Sequence, residues 1–235
     1  MRPKRSKWLD ANIQKIDKLT PQTWKFTIEF EEDFEFISGQ FITIKLRGIQ
    51  RSYSIASFSK NKKTLELIIV KVEGGQLTTI LFSDVQPGEK IEVKGPVGHF
   101  VMPEDLDRDF LFICTGTGLA PFKSFLDEMQ ITQKFPKRIY LIFGTRTQED
   151  LLFFNEMKAL VDEIPNFSYT PVLSRENWDG AEGYVHEHYE KIVKNDNLKN
   201  PLFYICGWRN MILDARKNIK ALGFDSSDIK LEIFD

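Results

Sequence analysis

Up to about residue 104, apolar and polar side chains alternate over short runs. The stretches Trp24–Phe30, Gln40–Leu46, Ser52–Ala56, Thr64–Val72 and Lys90–Lys94 predict strands. Turn residues separate them: Ser38-Gly39, Arg47-Gly48, Lys60–Lys63, Pro87-Gly88 and Gly95-Pro96. One short helix, Gln76–Phe82, is expected directly after the Gly74-Gly75 pair. Strands at this spacing predict an antiparallel barrel or sandwich.

After Asp109 the period changes. Phe110–Cys114, Arg138–Phe143, Phe167–Leu173, Leu202–Cys206 and Ile229–Phe234 are apolar or β-branched and predict strands. Between them, Ala120–Ile131, Glu149–Asp162, Val185–Lys194 and Met211–Leu222 have helical spacing, the last closed by Gly223. Alternating strands and helices predict an α/β doubly wound parallel sheet. The acidic run Glu104–Asp109 is the expected linker, so two domains are predicted at 1–104 and 105–235.

Composition narrows the function classes. The chain has 235 residues, 42% of them hydrophobic and 28% charged, enough to bury two cores. The net charge of −2 argues against a nucleic-acid partner. It is unevenly spread, with 16 basic against 13 acidic side chains up to residue 104 and 16 against 21 beyond. No apolar run approaches the length of a transmembrane segment, and no apolar region follows the basic start Met1–Lys7, so no signal peptide is expected. Cys114 and Cys206 are too few for a disulfide framework or an iron–sulfur cluster and suggest a reducing, cytoplasmic setting. His186 and His188 lack further ligands at useful spacing and read as exposed helical residues, so no metal site is expected.

Two Gly-rich turns carry candidate chemistry. Thr115-Gly116-Thr117-Gly118-Leu119-Ala120-Pro121 lies between a strand and a helix, where free N–H groups can meet a pyrophosphate. Pro121 suits the first helical turn. Gly74-Gly75-Gln76-Leu77-Thr78 opens the other helix and offers a second phosphate site. In Arg51-Ser52-Tyr53-Ser54, an Arg fork can grip phosphate, a Tyr face can pack on an aromatic ring, and a Ser hydroxyl can reach a ring nitrogen. The place of Gly116–Pro121 at the first strand-to-helix turn favours a nucleotide loop over an ordinary one, whereas Arg51–Ser54 and Gly74–Thr78 taken alone read as an edge strand and an ordinary turn.

Their order along the chain is more specific. Arg51–Ser54, Gly74-Gly75…Thr78, Gly95-Pro96-Val97-Gly98-His99-Phe100, Gly116–Pro121 and Cys206-Gly207…Met211 resemble the ferredoxin–NADP reductase-like flavoenzyme family, from about Leu9 to Asp235. The resemblance implies an N-terminal FAD-binding β-barrel, a C-terminal NAD(P)-binding domain, and cofactors that meet at the domain boundary. It implies that Arg51 binds the flavin pyrophosphate, with Ser52 beside it, that Tyr53 packs on the isoalloxazine and that Ser54 lies near its N5. Gly74, Gly75 and Thr78 match the second phosphate turn. Thr115, Gly116, Thr117, Gly118 and Pro121 match the nucleotide loop, and Cys206, Gly207 and Met211 the turn beside the nicotinamide. Phe143-Gly144-Thr145-Arg146 and Asp150–Phe153 resemble the adenosine side, and Ser174 and Arg175 match the place where NADP-preferring members hold a 2′-phosphate. The tail Glu232-Ile233-Phe234-Asp235 resembles tails that set a carboxylate and an aromatic ring near the flavin. Ser54, Cys206 and Glu232 are thus the implied catalytic residues.

Two positions depart from the pattern: Trp208 and Arg209 stand where relatives often have Pro. The implied activity is transfer of hydride from NAD(P)H to FAD, then of electrons to a separate ferredoxin, flavodoxin or oxygenase component. The alternatives are a reductase of free flavin or ferric complexes and a non-enzymatic cofactor-binding regulator.

Overall fold

The computed structural model describes residues 7–234, so most of the basic start and Asp235 of the tail lie outside it. The chain forms two compact units, one running to Met102 and taking in Ala120–Ile131, the other holding Pro103–Leu119 and Thr132 onward.

In the first unit, strands β1 (Leu9–Lys18), β2 (Thr23–Glu29), β3 (Phe41–Leu46), β4 (Ile49–Ser54), β5 (Thr64–Val70) and β6 (Lys90–Val97) form an antiparallel sheet, with helix α1 (Gln76–Ser83) between β5 and β6. The strand order is β4-β3-β6-β1-β2-β5. A bridge from Ile55 to Leu67 joins the two ends and closes the barrel. Alternate residues, including Phe26, Ile28, Ile42, Ile44, Leu65, Leu67 and Val93, fill its interior. Truncating one such aromatic to Ala typically costs about 3–5 kcal/mol.

Strand β1 is an element that the periodicity of the sequence does not reveal. Its register shifts between Ile13 and Lys15, so the buried positions Ala11 and Ile13 are followed by Ile16 three residues later. A bulge of this kind breaks period two. Strand β4 also starts earlier than expected, because Arg47-Gly48 makes a two-residue hairpin from Leu46 to Ile49. Both turn residues have positive φ, 49° and 80°, as a type I′ turn requires. The turn fixes the register that sets Arg51 opposite Ile44 and Ser52 opposite Thr43.

In the second part of the chain, β7 (Asp109–Thr115), α2 (Ala120–Thr132), β8 (Arg138–Thr145), α3 (Phe154–Glu163), β9 (Phe167–Leu173), β10 (Ala181–Glu182), α4 (Val185–Asn195), β11 (Leu202–Trp208), α5 (Arg209–Ala221) and β12 (Ile229–Phe234) follow in order. The strands form one parallel sheet, β10-β9-β8-β7-β11-β12. The chain reverses direction across the sheet at β7 and β11, the switch point where doubly wound sheets bind ligands. The helix expected over Glu149–Asp162 is instead a 3₁₀ turn at Gln148–Asp150 followed by α3. Phe153, at φ 53°, marks the break, and Leu152 is buried there. His186 is half-buried against the Tyr189 hydroxyl at 3.1 Å, not exposed as expected, while His188 Nε2 lies 2.8 Å from the Glu182 carbonyl. Among the described residues no helix is long and apolar enough to cross a membrane.

Candidate functional site

Strand β4 and the start of α1 carry the candidate site residues of the first unit. Arg51 is exposed, donates to the Gln50 carbonyl at 2.7 Å and has no ion pair among the described residues, which leaves its guanidinium available for an anion. Ser52 pairs with the Thr43 hydroxyl across the hairpin at 3.0 Å. Tyr53 packs against the barrel core, and burial pushes its hydroxyl up to about 12 despite the opposing charge of Arg51. Ser54 is buried at the strand's end.

The turn before α1 is built around Thr78. Its hydroxyl lies 3.3 Å from the Val72 amide and carbonyl and 3.2 Å from the Gly75 carbonyl, so it holds the turn from beneath. A Cβ on Gly75 would stand 2.5 Å from that hydroxyl, so only glycine fits, whereas Gly74 is required by its φ of 71°. No side chain caps α1. Its first N–H groups have no partner within the helix and carry its positive dipole end.

In the second unit the turns after β7 and β11 interlock. A methyl group on Gly118 would fall within the Cys206 carbonyl, and one on Gly207 would stand 2.5 Å from Thr115 Oγ1. Gly207 also has a φ of 140°. Gly116, Thr117 and Gly118 form a 3₁₀ turn, and Pro121 stands in the first turn of α2. Met211 lies early in α5 and packs against the sheet's core. Thr115 Oγ1 is buried with no hydrogen-bond partner, an arrangement that costs about 1–3 kcal/mol unless a ligand supplies one.

Cys206 stands in register between Cys114 on β7 and Glu232 on β12. Burial first, then the Glu232 charge and the Cys114 neighbour, hold its thiol well above the usual range, and burial does the same for Cys114. A protonated Cys206 is thus fixed beside the orphaned Thr115 hydroxyl's turn. Phe234 is the last residue of β12, opposite Trp208, and is partly buried outside the core cluster.

The ladder between β8 and β9 continues beyond the strands. The Ser174 amide and hydroxyl both reach the Thr145 carbonyl, at 3.0 and 3.1 Å, and the Arg175 amide donates to the Arg146 carbonyl at 2.9 Å. Arg146 and Arg175, 29 positions apart in sequence, therefore sit on adjacent loops. Glu176 is engaged by the Gln148 amide and side chain at 2.7 and 2.8 Å. Sequence order shows no such pairing, since only the β8–β9 register creates it.

These features fit the cofactors expected from the motifs: an uncapped helix start and an unpaired Arg for a flavin pyrophosphate, and a glycine interlock around an orphaned hydroxyl for a nicotinamide nucleotide. The family model of the oxidoreductase FAD-binding domain matches residues 10–102, and that of the oxidoreductase NAD-binding domain matches residues 112–217. The chain belongs to the ferredoxin–NADP reductase-like family. As a member of it, the chain carries the FAD-binding and NAD-binding domains of an oxidoreductase family.

Three comparisons illustrate its range. The ferredoxin–NADP reductase of Neisseria gonorrhoeae, solved with bound FAD and NADP, superposes with a TM-score of 0.84 at 27% identity, over 97% of this chain and 99% of that one. Ferredoxin–NADP reductase B of Sorangium cellulosum is 27% identical over 96% of this chain and 97% of its own length. Phenol hydroxylase P5 protein of Acinetobacter pittii is 30% identical over 95% of this chain, which spans 65% of that protein. The chain spans as little as 54% of other curated relatives.

Proposed function

We propose that this reductase takes hydride from NAD(P)H onto FAD and passes electrons to a separate acceptor: ferredoxin, flavodoxin, an oxygenase component or free flavin. The two cysteines of the chain cannot ligate an iron–sulfur cluster, so the next electron carrier lies outside these residues. The observation that carries the reading is the unpartnered Thr115 hydroxyl between two interlocked glycine turns at the sheet's switch point. When bound, the flavin supplies the redox chemistry, and the protein supplies binding, orientation and electrostatics.

In this reading residues 1–104 are the flavin domain and 105–235 the nucleotide domain. Arg51 and the start of α1 neutralise the flavin pyrophosphate, while Tyr53 and Ser54 orient the ring. Thr115 donates to the nicotinamide amide, and Gly116–Gly118 let the backbone approach the nucleotide. Cys206 stays protonated beside the reacting ring, flanked by Glu232. Arg146 and Arg175 together favour NADPH, because two guanidinium forks on adjacent loops match a 2′-phosphate that NADH lacks. Two free cysteines suit a cytoplasmic setting.

The test begins with the visible spectrum of the purified protein and anaerobic addition of NADPH or NADH. A flavin band that bleaches with NADPH supports the reading. A colourless protein that cannot be reconstituted with FAD overturns it. Arg175→Ala and Arg146→Ala should each lower kcat/KM for NADPH about tenfold or more and leave NADH little changed. Equal losses with both nucleotides remove the two arginines from the 2′-phosphate site. The relation to an oxygenase reductase component rests on the likeness to the phenol hydroxylase protein, and turnover with oxygenase components but not with ferredoxin or flavodoxin would favour it.

A further inference from the structure

Helix α2 follows the nucleotide turn without a linker, Ala120 coming directly after Leu119, yet its residues to Ile131 cluster with the first unit. Polar side chains on this helix hold the loop that leaves β4. The fully buried Ser124 donates from its hydroxyl to the Ser57 carbonyl at 2.8 Å. The Phe58 amide donates to Asp127 Oδ2 at 3.2 Å. Lys123, 6% exposed, lies 3.1 Å from both oxygens of Asp127 one turn further along the helix. The Ser124 carbonyl also accepts the Ser38 hydroxyl at 3.2 Å, and a Cβ on Gly39 would strike the Phe125 ring.

The far side of the loop is equally fixed. The Glu66 amide donates to Ser57 Oγ at 2.9 Å, the Ala56 amide to the Glu66 carbonyl at 2.8 Å and the Ile55 amide to the Gln40 carbonyl at 3.0 Å. Ser54 is thus followed by four residues, each bonded on a defined partner. A buried Lys–Asp pair is a poor source of stability, since desolvation cancels most of its attraction. Its effect here is positional: it orients Asp127 towards one backbone amide.

We infer that Ser124, Asp127 and Lys123 are positioning residues that fix the segment after the flavin strand on the helix that begins at the nucleotide turn. Loosening them slows hydride delivery without weakening either cofactor. The inference rests on the flavin reading of Arg51–Ser54. None of the three residues is among the groups assigned to bind FAD or NAD(P)H, so their loss leaves both binding sets in place. Misplacing reacting groups by about an ångström can lower a rate on the order of a hundredfold.

The experiment compares wild type with Ser124→Ala and with the double variant Lys123→Met/Asp127→Asn, which avoids leaving a lone buried charge. Flavin content, nucleotide Kd, the rate of anaerobic flavin reduction, melting temperature and amide exchange in the flavin-free protein are measured. We expect Ser124→Ala to keep flavin content and Kd within about twofold and to slow reduction about tenfold or more. Exchange at Ser57–Phe58 should rise in both variants in the absence of flavin. If reduction is unchanged while the melting temperature falls, the three residues are structural and the inference fails alone. A rate that falls only in proportion to lost flavin overturns it too. If wild type binds no flavin, the functional reading fails and takes the inference with it. Should the double variant not fold, Ser124→Ala decides.

Discussion

At the scale of single residues, the second unit holds two buried polar atoms without a partner among the described residues, Thr115 Oγ1 and Tyr169 Oη, and the first lies within the glycine turns. Thr115 Oγ1 is buried, without a partner, and close enough to Gly207 to exclude a Cβ there. A group retained at such a cost points to a ligand that completes it. Thr115→Val keeps the shape and removes the unsatisfied hydroxyl. We expect the melting temperature of the variant to stay level or rise, because the penalty of about 1–3 kcal/mol disappears. Nucleotide Kd should weaken about tenfold, the worth of one hydrogen bond of roughly 1.4 kcal/mol. Thermal unfolding and nucleotide titration together check this. A less stable variant with unchanged Kd would make Thr115 a packing residue.

At the scale of elements, the sequence is legible where period and burial agree. The fully buried runs of β7, β8 and β11 and the amphipathic α2 and α5 follow from apolar spacing, and their boundaries move by at most two residues. It is illegible where geometry departs from period. Strand β1 hides behind its bulge, and α3 starts late because Phe153 turns left-handed. In the site, local sequence could mark Gly116, Gly118 and Arg51 because a turn and a charge are local properties. It could not pair Arg146 with Arg175 or set Ser124 on Ser57, since those contacts depend on long-range register. The tail is legible as an element: the sequence predicts a strand at Ile229–Phe234, and β12 spans those residues, parallel to β11. What the Phe234 ring covers is not a property of the strand pattern. The rungs from Phe203–Ile229 to Cys206–Glu232 survive removal of Ile233, Phe234 and Asp235. That truncation should therefore change the melting temperature little, while altering nicotinamide KM and the flavin spectrum if Phe234 covers the ring. A loss of about 3–5 kcal/mol in denaturant unfolding would instead assign Phe234 to the core.

At the scale of the whole molecule, the fold holds protons that the unfolded chain would release in alkali. Burial raises the thiols of Cys114 and Cys206 well above their ordinary 9.0. It raises the phenols of Tyr53 and Tyr204 from 10.0 to about 12, and it pushes those of Tyr169 and Tyr189 further in the same direction. Each group favours the folded state most when protonated. Its contribution is complete below the ordinary value and is lost as pH rises from there towards the raised one. Stability should therefore be flat with respect to these groups up to about pH 8. It should fall from about pH 9 as the unfolded thiols ionise, and more steeply beyond about pH 10 as the unfolded phenols join them. Each such group contributes a slope of up to about 1.4 kcal/mol per pH unit. Urea midpoints measured between pH 7 and 11 test the sign, and a midpoint that rises across pH 9–10 would contradict it. The same burial makes both thiols poor nucleophiles in the native state. At pH 8 an aromatic disulfide reagent should label Cys114 and Cys206 only as fast as the protein opens, with rates that climb in step as urea lowers stability. Labelling of Cys206 at the speed of a free thiol, in protein that remains folded, would show that this residue titrates as an exposed thiolate and would remove the protonated Cys206 from the proposed hydride site.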